Sequence, residues 1–322
     1  MTLSVSVVIC VYTEQRWHDI LAAIASVHAQ TRKVDDIIVV VDHNEALAAR
    51  LRAEMLDVRL IDNTETRGLS GARNSGIAAA WGDLVAFLDD DAAAEPEWVE
   101  VLSRHFEDQQ VMGVGSWVTP LWTKARPKWF PSQYLWVVGC SYEGMPTVLS
   151  ETRNLFGGSM VIRRSLFSSI GGFDSRLGRD TGKLPMGCEE TELCIRARVK
   201  LDGVRFLLDP TVRITHRVNS ERLTVKYFFL RCLAEGVSKL RLTKICGEHI
   251  GLSSELRFLT SVLPPALLTT ILCLIKGEGA AFARLLLLLG GFGAAAAGFA
   301  YASLKSQCEV RLGARASSSM EG

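Results

Sequence analysis

No C-x-x-C pair occurs among the eight cysteines of this 322-residue chain, and none lies close to another in a repeating spacing. Their scatter excludes a closely spaced structural zinc site and a disulfide framework, and it points to a reducing compartment. An excess of charge of one sign is also missing. The 36 Lys and Arg balance 35 Asp and Glu, a formal net charge of +1, so no overall field draws the chain to nucleic acid. No basic stretch precedes an apolar core at the N-terminus, so no cleavable signal peptide is expected. No G-x-G-x-x-G follows the first apolar run and no Walker A sequence occurs, which removes both the dinucleotide fingerprint and the P-loop.

What is present is a regular alternation of short apolar runs and helical patterns. Val5 to Val11 is a β-branched run, and Trp17 to Val27 carries Ile20, Leu21, Ile24 and Val27 at helical spacing. Strands follow at Ile37 to Val41 and Val58 to Ile61, and helices at Ala46 to Met55 and Gly71 to Trp81. The alternation predicts an α/β fold with a mostly parallel, doubly wound sheet. The fourth strand, Leu84 to Leu88, runs into Asp89-Asp90-Asp91. Three adjacent carboxylates at the carboxyl end of a buried strand stand where such sheets bind ligands. They repel one another unless a cation compensates them, and hard divalent ions prefer oxygen ligands. A solvated acidic loop is the bland alternative. Pro96 suits the first turn of the next helix.

Tyr12, Thr13 and Glu14 after the first strand and Asp42 after the second offer hydrogen bonds to a base and ribose, or simply cap their strands. Gly68 and Gly71 permit close backbone approach to a ligand, while Arg73 and the helix start favour an anion. The first strand, Asp42, the G-x-x-x-A-R-N-x-G helix and the strand ending in Asp89-Asp90-Asp91 together resemble glycosyltransferase family 2. That resemblance implies the GT-A fold, a nucleotide-sugar donor and an aspartate-x-aspartate site for Mg²⁺ or Mn²⁺. It implies that Asp89 and Asp91 bracket the metal, that Asp90 reaches ribose or metal, and that Gly68, Ala72 and Arg73 frame the donor. The segments Val11-Tyr12-Thr13-Glu14 and Asp42-His43-Asn44 depart from the usual pattern.

Residues 111 to 150 read as irregular. Trp117, Trp122, Trp129 and Trp136 alternate there with basic residues, suiting either loop packing or a sugar ring; Trp117 and Trp122 are the acceptor candidates. Gly157-Gly158-Ser159, then Gly171-Gly172-Phe173-Asp174, then Glu189-Glu190 at a helix start are similar to the acceptor half of the same family. Acids at a helix start are also favoured by its dipole. Attack of an acceptor hydroxyl on C1 needs a base within hydrogen-bond reach. By correspondence with the family motif, Glu190 takes that position and Glu189 supports it, with Gly157 and Gly158 beside the acceptor. Period-two alternation puts Val212, Ile214 and His216 on one face. His216 is then a core residue, or by the resemblance a third member of the metal site.

The C-terminal third differs in composition. Arg222 to Cys246 is a basic amphipathic segment. Phe258 to Ile275 and Leu285 to Leu304 are uncharged and long enough to span a bilayer, although Pro264-Pro265 must kink the first or make it re-entrant. Flanking Lys305, Arg311 and Arg315 place both ends in the cytoplasm. The expected organisation is a catalytic domain over 1–220 (a nucleotide-sugar half to 110, an acceptor half beyond it), interfacial helices over 221–257, a transmembrane hairpin over 258–304 and a disordered cytoplasmic tail. Tyr227 to Lys239 is similar to the glucosyl-dolichyl-phosphate glucuronosyltransferase-like subset of the family. That likeness implies an inner-membrane enzyme moving a sugar, with glucuronate the candidate, from a UDP-linked donor to a polyprenyl-phosphate-linked glycan. A sugar-phosphate nucleotidyltransferase and a non-catalytic membrane scaffold are the rivals.

Overall fold

The computed structural model describes residues 3–54, 57–177, 185–247 and 252–318. Strand β1 (Val5–Val11) lies at the centre of the N-terminal half, between β2 (Asp36–Val41) and β4 (Leu84–Asp89), with β3 (Arg59–Asp62) outside β2, all parallel. Helices α1 (Trp17–His28), α2 (Glu45–Glu54) and α3 (Leu69–Ala79) make the crossovers. Both faces of β1 and β4 are covered, so their residues are apolar without alternation. One face packs Ile9 and Leu88 against Ile20, Leu47 and Trp98. The other packs Val8 and Phe87 against Ala72, Leu166 and Leu193.

Beyond β4 the sheet turns mixed. The full order among the described residues is β3-β2-β1-β4-β8-β6-β9-β5, with β7 (Ser150–Glu151) attached to β9. Strand β8 (Ser159–Arg163) runs antiparallel to β4, and β6 (Val111–Trp122) antiparallel to β8. Strand β9 (Arg205–Val218) is parallel to β6, and β5 (Ala92–Ala94) pairs antiparallel with its end. Helices α4 (Trp98–Arg104), α5 (Arg164–Ile170) and α6 (Glu189–Lys200) complete this half.

Several elements differ from the expectation. The stretch expected to be irregular contains the twelve-residue β6. Gly113, Gly115 and Pro120 weaken its local strand signal, but pairing to β8 and β9 on both sides decides its conformation. Strand β9 runs on through Asp209-Pro210, where local sequence would divide it, with an irregularity where the register to β6 shifts. Ala92–Ala94 is a strand rather than a lead into a helix, and Pro96 precedes α4 instead of opening it. Met55, expected to end α2, lies outside the described residues.

Helix α7 (Val225–Cys246) is continuous and half-sunk, with Phe228, Cys232 and Ala234 fully buried. Two apolar helices follow, α8 (Ser254–Ile275) and α9 (Gly279–Ser318), both long and apolar enough to cross a membrane. A turn of π-helix at Phe258–Val262 precedes the Pro264-Pro265 pair, which sits in the first turn of the α-helical run after it. Leu268, Ile271, Leu272, Phe282, Leu286 and Leu289 stay exposed, the reverse of a soluble core hairpin. Most of the tail expected to be disordered instead continues α9 through Ser318, because Ala, Leu and Arg prolong the helix beyond Leu304. Residues 319–322 lie outside the described residues.

The hairpin packs against the flank of the rest of the chain rather than standing apart from it. The Tyr134 hydroxyl donates to the Leu288 carbonyl at 3.0 Å, and a Cβ added at Gly236 would meet the Ala295 carbonyl oxygen at 1.9 Å. Gly236→Leu will therefore force α7 and α9 apart. Overpacking of this kind costs about 1–3 kcal/mol, and a fall in melting temperature of the detergent-solubilised protein will report it.

Candidate active site

The carboxyl end of β4 delivers three carboxylates into one crowded place. Asp90 and Asp91 are buried, while Asp89 stays partly open. Arg16, just after β1, reaches over to them: it bonds Asp90 Oδ1 and lies 3.1 Å from Asp91 Oδ2. Arg222, before α7, is 3.6 Å from the same Asp91 oxygen. His216 arrives on β9, where its register partner on β5 is Ala92, and its Nε2 is 3.2 Å from Asp91 Oδ1. Burial alone would raise the Asp91 pKa, but His216, Arg16 and Arg222 hold it well below the usual carboxylate range. Asp90 goes the other way. Burial, opposed by Arg16 and assisted by its two acidic neighbours, pushes it up to about 7.

Asp89, Asp91 and His216 each present one donor atom, all within 4.8 Å of one another. Two carboxylate oxygens and an imidazole nitrogen suit a divalent cation such as Mn²⁺. Asp90 Oδ2 is buried without a hydrogen-bond donor among the described residues, and Asp91 Oδ2 faces Arg16 and Arg222 without a hydrogen bond, so acceptor capacity remains at the cluster. The donor set fits the ion that the resemblance implies.

Across the same cavity stand Glu189 and Glu190, opening α6. Arg73, fully enclosed on α3, bonds Glu189 Oε1 through Nη1 at 3.0 Å and approaches Asp89 Oδ1 at 3.6 Å through Nη2. Glu190 is half-buried and faces the cavity. Burial and the adjacent Glu189 push its pKa up to about 8. Gly157 and Gly158, before β8, close one wall. A Cβ at Gly158 would lie 2.2 Å from Asp89 Oδ2, and one at Gly157 would lie 2.6 Å from Arg73 Nη2. These two positions leave room for the Arg73–Asp89 pair to pass beneath the backbone.

The expected residues divide clearly. Asp89, Arg73, Gly157, Gly158, Glu189, Glu190 and His216 line one cavity of about 270 Å³. Asp42 is buried and engaged at both oxygens, accepting from Asn63 Nδ2 at 2.7 Å and the Gly68 N–H at 3.0 Å. It thereby fixes the loop before α3. Tyr12 is exposed beneath the Arg16 guanidinium, and the Thr13 hydroxyl accepts the Gln15 N–H at 3.3 Å, capping the turn that holds Glu14. Ala72, expected to frame the donor, is instead packed in the core with no exposed surface.

Trp117 and Trp122 do not line the cavity. Strand alternation turns Val118 toward it and hence Trp117 away. Trp122 packs edge-on against Phe130, with ring centroids 6.5 Å apart. The cavity takes Trp136, Tyr134 and Tyr142 in their place. Sequence reasoning also missed Arg16 and Arg222, whose partners are distant in sequence. Their one signal was the unbalanced charge of three adjacent aspartates.

The profile described as Glycosyl transferase family 2 matches residues 6–171. The chain is 34% identical over 241 residues to the glucosyl-dolichyl phosphate glucuronosyltransferase of Haloferax volcanii, covering 74% of this chain and 76% of that protein. It is 26% identical over 161 residues to the pre-mycofactocin glycosyltransferase of Mycobacterium tuberculosis, spanning 50% of this chain but 32% of that one. Among solved structures it resembles the mannosyltransferase PcManGT of Pyrobaculum calidifontis in complex with GDP-Man and Mn²⁺. The TM-score is 0.58 at 15% identity, with 94% of this chain and 88% of that one covered. GalNAc-T7 with UDP, GalNAc and Mn²⁺ gives a TM-score of 0.55 at 17% identity, covering 82% of this chain and 58% of that one. These likenesses show the GT-A fold.

Because the Asp89 carboxylate is the movable end of a side chain, Gly158→Ala will displace it at little cost in stability. We expect an unchanged melting temperature with Mn²⁺ affinity weakened at least about tenfold, equivalent to about 1.4 kcal/mol. Titration of free Mn²⁺ by electron paramagnetic resonance will measure it.

Proposed function

The chain belongs to glycosyl transferase family 2, a family of enzymes, and from that premise we propose that it is an inverting, metal-dependent transferase of a UDP-linked sugar to a polyprenyl-phosphate-linked glycan. The observation that carries this reading is the convergence of Asp89, Asp91 and His216, with Asp89 and His216 lining the same cavity as Glu189 and Glu190. The relative from Haloferax volcanii, named for a glucosyl-dolichyl phosphate substrate, supports the acceptor class and motivates glucuronate as the sugar. Transfer of glucose with no glucuronate would sink that last assignment.

Asp89, Asp91 and His216 would hold Mg²⁺ or Mn²⁺, whose chemistry is to stabilise negative charge on a departing diphosphate. The remaining work belongs to the chain. Arg16 and Arg222 keep Asp91 ionised, and Asp42 holds the Gly68 loop at the donor edge, near Tyr12, Thr13 and Glu14. Glu190 faces the acceptor hydroxyl and takes its proton as the oxygen bonds to C1; the bond from C1 to the diphosphate breaks and UDP leaves on the opposite side. Glu189, fixed by Arg73, supports Glu190. The hairpin over 258–304 anchors the enzyme in the cytoplasmic membrane, with the catalytic domain on the side where nucleotide sugars are made.

Two measurements follow. Calorimetric titration of UDP and UDP-sugars into purified protein should show binding with Mn²⁺, none with EDTA, and none in Asp91→Ala; a folded protein that binds no nucleotide sugar would overturn the proposal. A base must be unprotonated to act, so kcat/KM should rise as pH rises through the raised Glu190 pKa of about 8. Glu190→Gln should lower kcat at least about 100-fold, the usual scale for a lost general base, and leave the donor KM within about twofold.

A further inference from the structure

The cavity does not end at the carboxylates. Its far end is built by α7, which presents Arg231, Glu235 and Lys239 at successive four-residue spacings on one face. Arg231 Nη1 bonds Glu235 Oε2 at 2.9 Å, and Lys239 Nζ lies 3.4 Å from Glu235 Oε1 and 2.9 Å from Glu255 Oε1 on α8. Lys239 is 6% exposed. Burial alone would raise the Glu235 pKa, yet Lys239 and Arg231 hold it down to about 2.

A buried Lys239 and a half-buried Arg231, held between Glu235 and Glu255, are expensive to keep out of water, and packing alone does not call for them. Replacing such groups by apolar residues is often neutral or stabilising. Their arrangement also leaves Arg231 approachable. Its guanidinium lies over the Trp136 ring at 5.5 Å, and its Nη2 is turned toward Gly187, where a Cβ would stand 3.3 Å away. A larger side chain at Gly187 would cover the nitrogen. The wall of the same cavity also includes Phe258 of α8 and Phe292 and Ala295 of α9. These belong to the same two helices whose outer surfaces expose leucine and isoleucine.

One cavity thus gathers Asp89 and His216, Glu189 and Glu190, Arg231 and Lys239, and residues of both apolar helices on its walls. We infer that Arg231 and Lys239 form a phosphate subsite for a lipid-linked acceptor: they bind the phosphate joining an isoprenoid chain to the acceptor sugar, while the chain passes between Phe258 and Phe292 toward the bilayer. The planar guanidinium suits two-point binding of phosphate oxygens, and the ammonium supplies a second charge. In this arrangement the phosphate fixes how far the sugar reaches toward Glu190. The role of the site in transfer rests on the transferase reading; its chemistry as a lipid-phosphate site does not.

The test is binding of farnesyl phosphate to the full-length protein in detergent, beside farnesol and inorganic phosphate, for the native chain and for Arg231→Gln, Arg231→Lys and Lys239→Met. The native protein should bind farnesyl phosphate at least about tenfold more tightly than either comparison ligand, about 1.4 kcal/mol. Arg231→Gln and Lys239→Met should fall to the level of farnesol, and Arg231→Lys should lie between. An unchanged melting temperature in all three shows that the variants are folded. Equal binding of farnesol and farnesyl phosphate would overturn the inference, as would variants that bind farnesyl phosphate normally. Inorganic phosphate binding as tightly as farnesyl phosphate would make this a free-anion site and overturn it too. Failure of every nucleotide sugar to bind would count against the transferase reading alone, since the farnesyl phosphate comparison needs no donor.

Discussion

The guanidinium of Arg73 is the contact on which the site depends. It grows from α3 in the N-terminal, parallel half, is almost completely enclosed, and reaches Glu189 on α6 in the mixed half while remaining close to Asp89 at the end of β4. A buried charge of this kind is tolerated only when it is paired, and breaking such a pair by removing one partner typically costs about 3–5 kcal/mol. The bridge therefore ties the acids on the donor side to those on the acceptor side. Its geometry explains local sequence as well: Gly157 and Gly158 lack side chains where Arg73 and Asp89 pass. Phe87 and Phe173 cover the cation at 6.0 and 5.4 Å.

The acidic triplet has its own compensation. Asp91 lies among His216, Arg16 and Arg222, contributed by three separate parts of the chain. Among the described residues, Asp90 pairs with Arg16. The two neighbours consequently differ in proton affinity although they are adjacent and both buried, because what matters is the cations each one faces. Asp89, nearest the cavity, remains the most open of the three.

How much of this was legible in the sequence follows from the range of the interactions. Strands β1, β2, β3 and β4 announce themselves because apolar, β-branched residues are concentrated where both sheet faces are covered. Asp89, Asp91, Glu189, Glu190 and His216 were singled out from motif and alternation; the structure puts Asp89, Glu189, Glu190 and His216 on one cavity, with Asp91 beside Asp89 and His216. Strand β6 was illegible because its glycines and proline give a weak local signal that distant pairing overrides. The tryptophans misled for a related reason: Trp117 and Trp122 have the right chemistry, but facing is set by register, which turns Val118 to the cavity, while Trp136 reaches it from a 3₁₀ turn. Arg16 and Arg222 were not visible because no local pattern records a partner 70 or more residues away. Hydropathy marked the apolar hairpin, but only packing revealed that α9 lies along α7 and that its Phe292 and Ala295 wall the cavity.

Fold, family and apolar hairpin are mutually consistent: a GT-A sheet gathers carboxylates at one edge, and a cavity runs from them to helices suited to a bilayer. The most direct test of the central claim is the anomalous scattering of Mn²⁺ in crystals grown with UDP. The account predicts one strong peak within coordination distance of Asp89, Asp91 and His216, next to the nucleotide diphosphate. A nucleotide bound with no manganese at these three residues, or with the ion elsewhere, would contradict it.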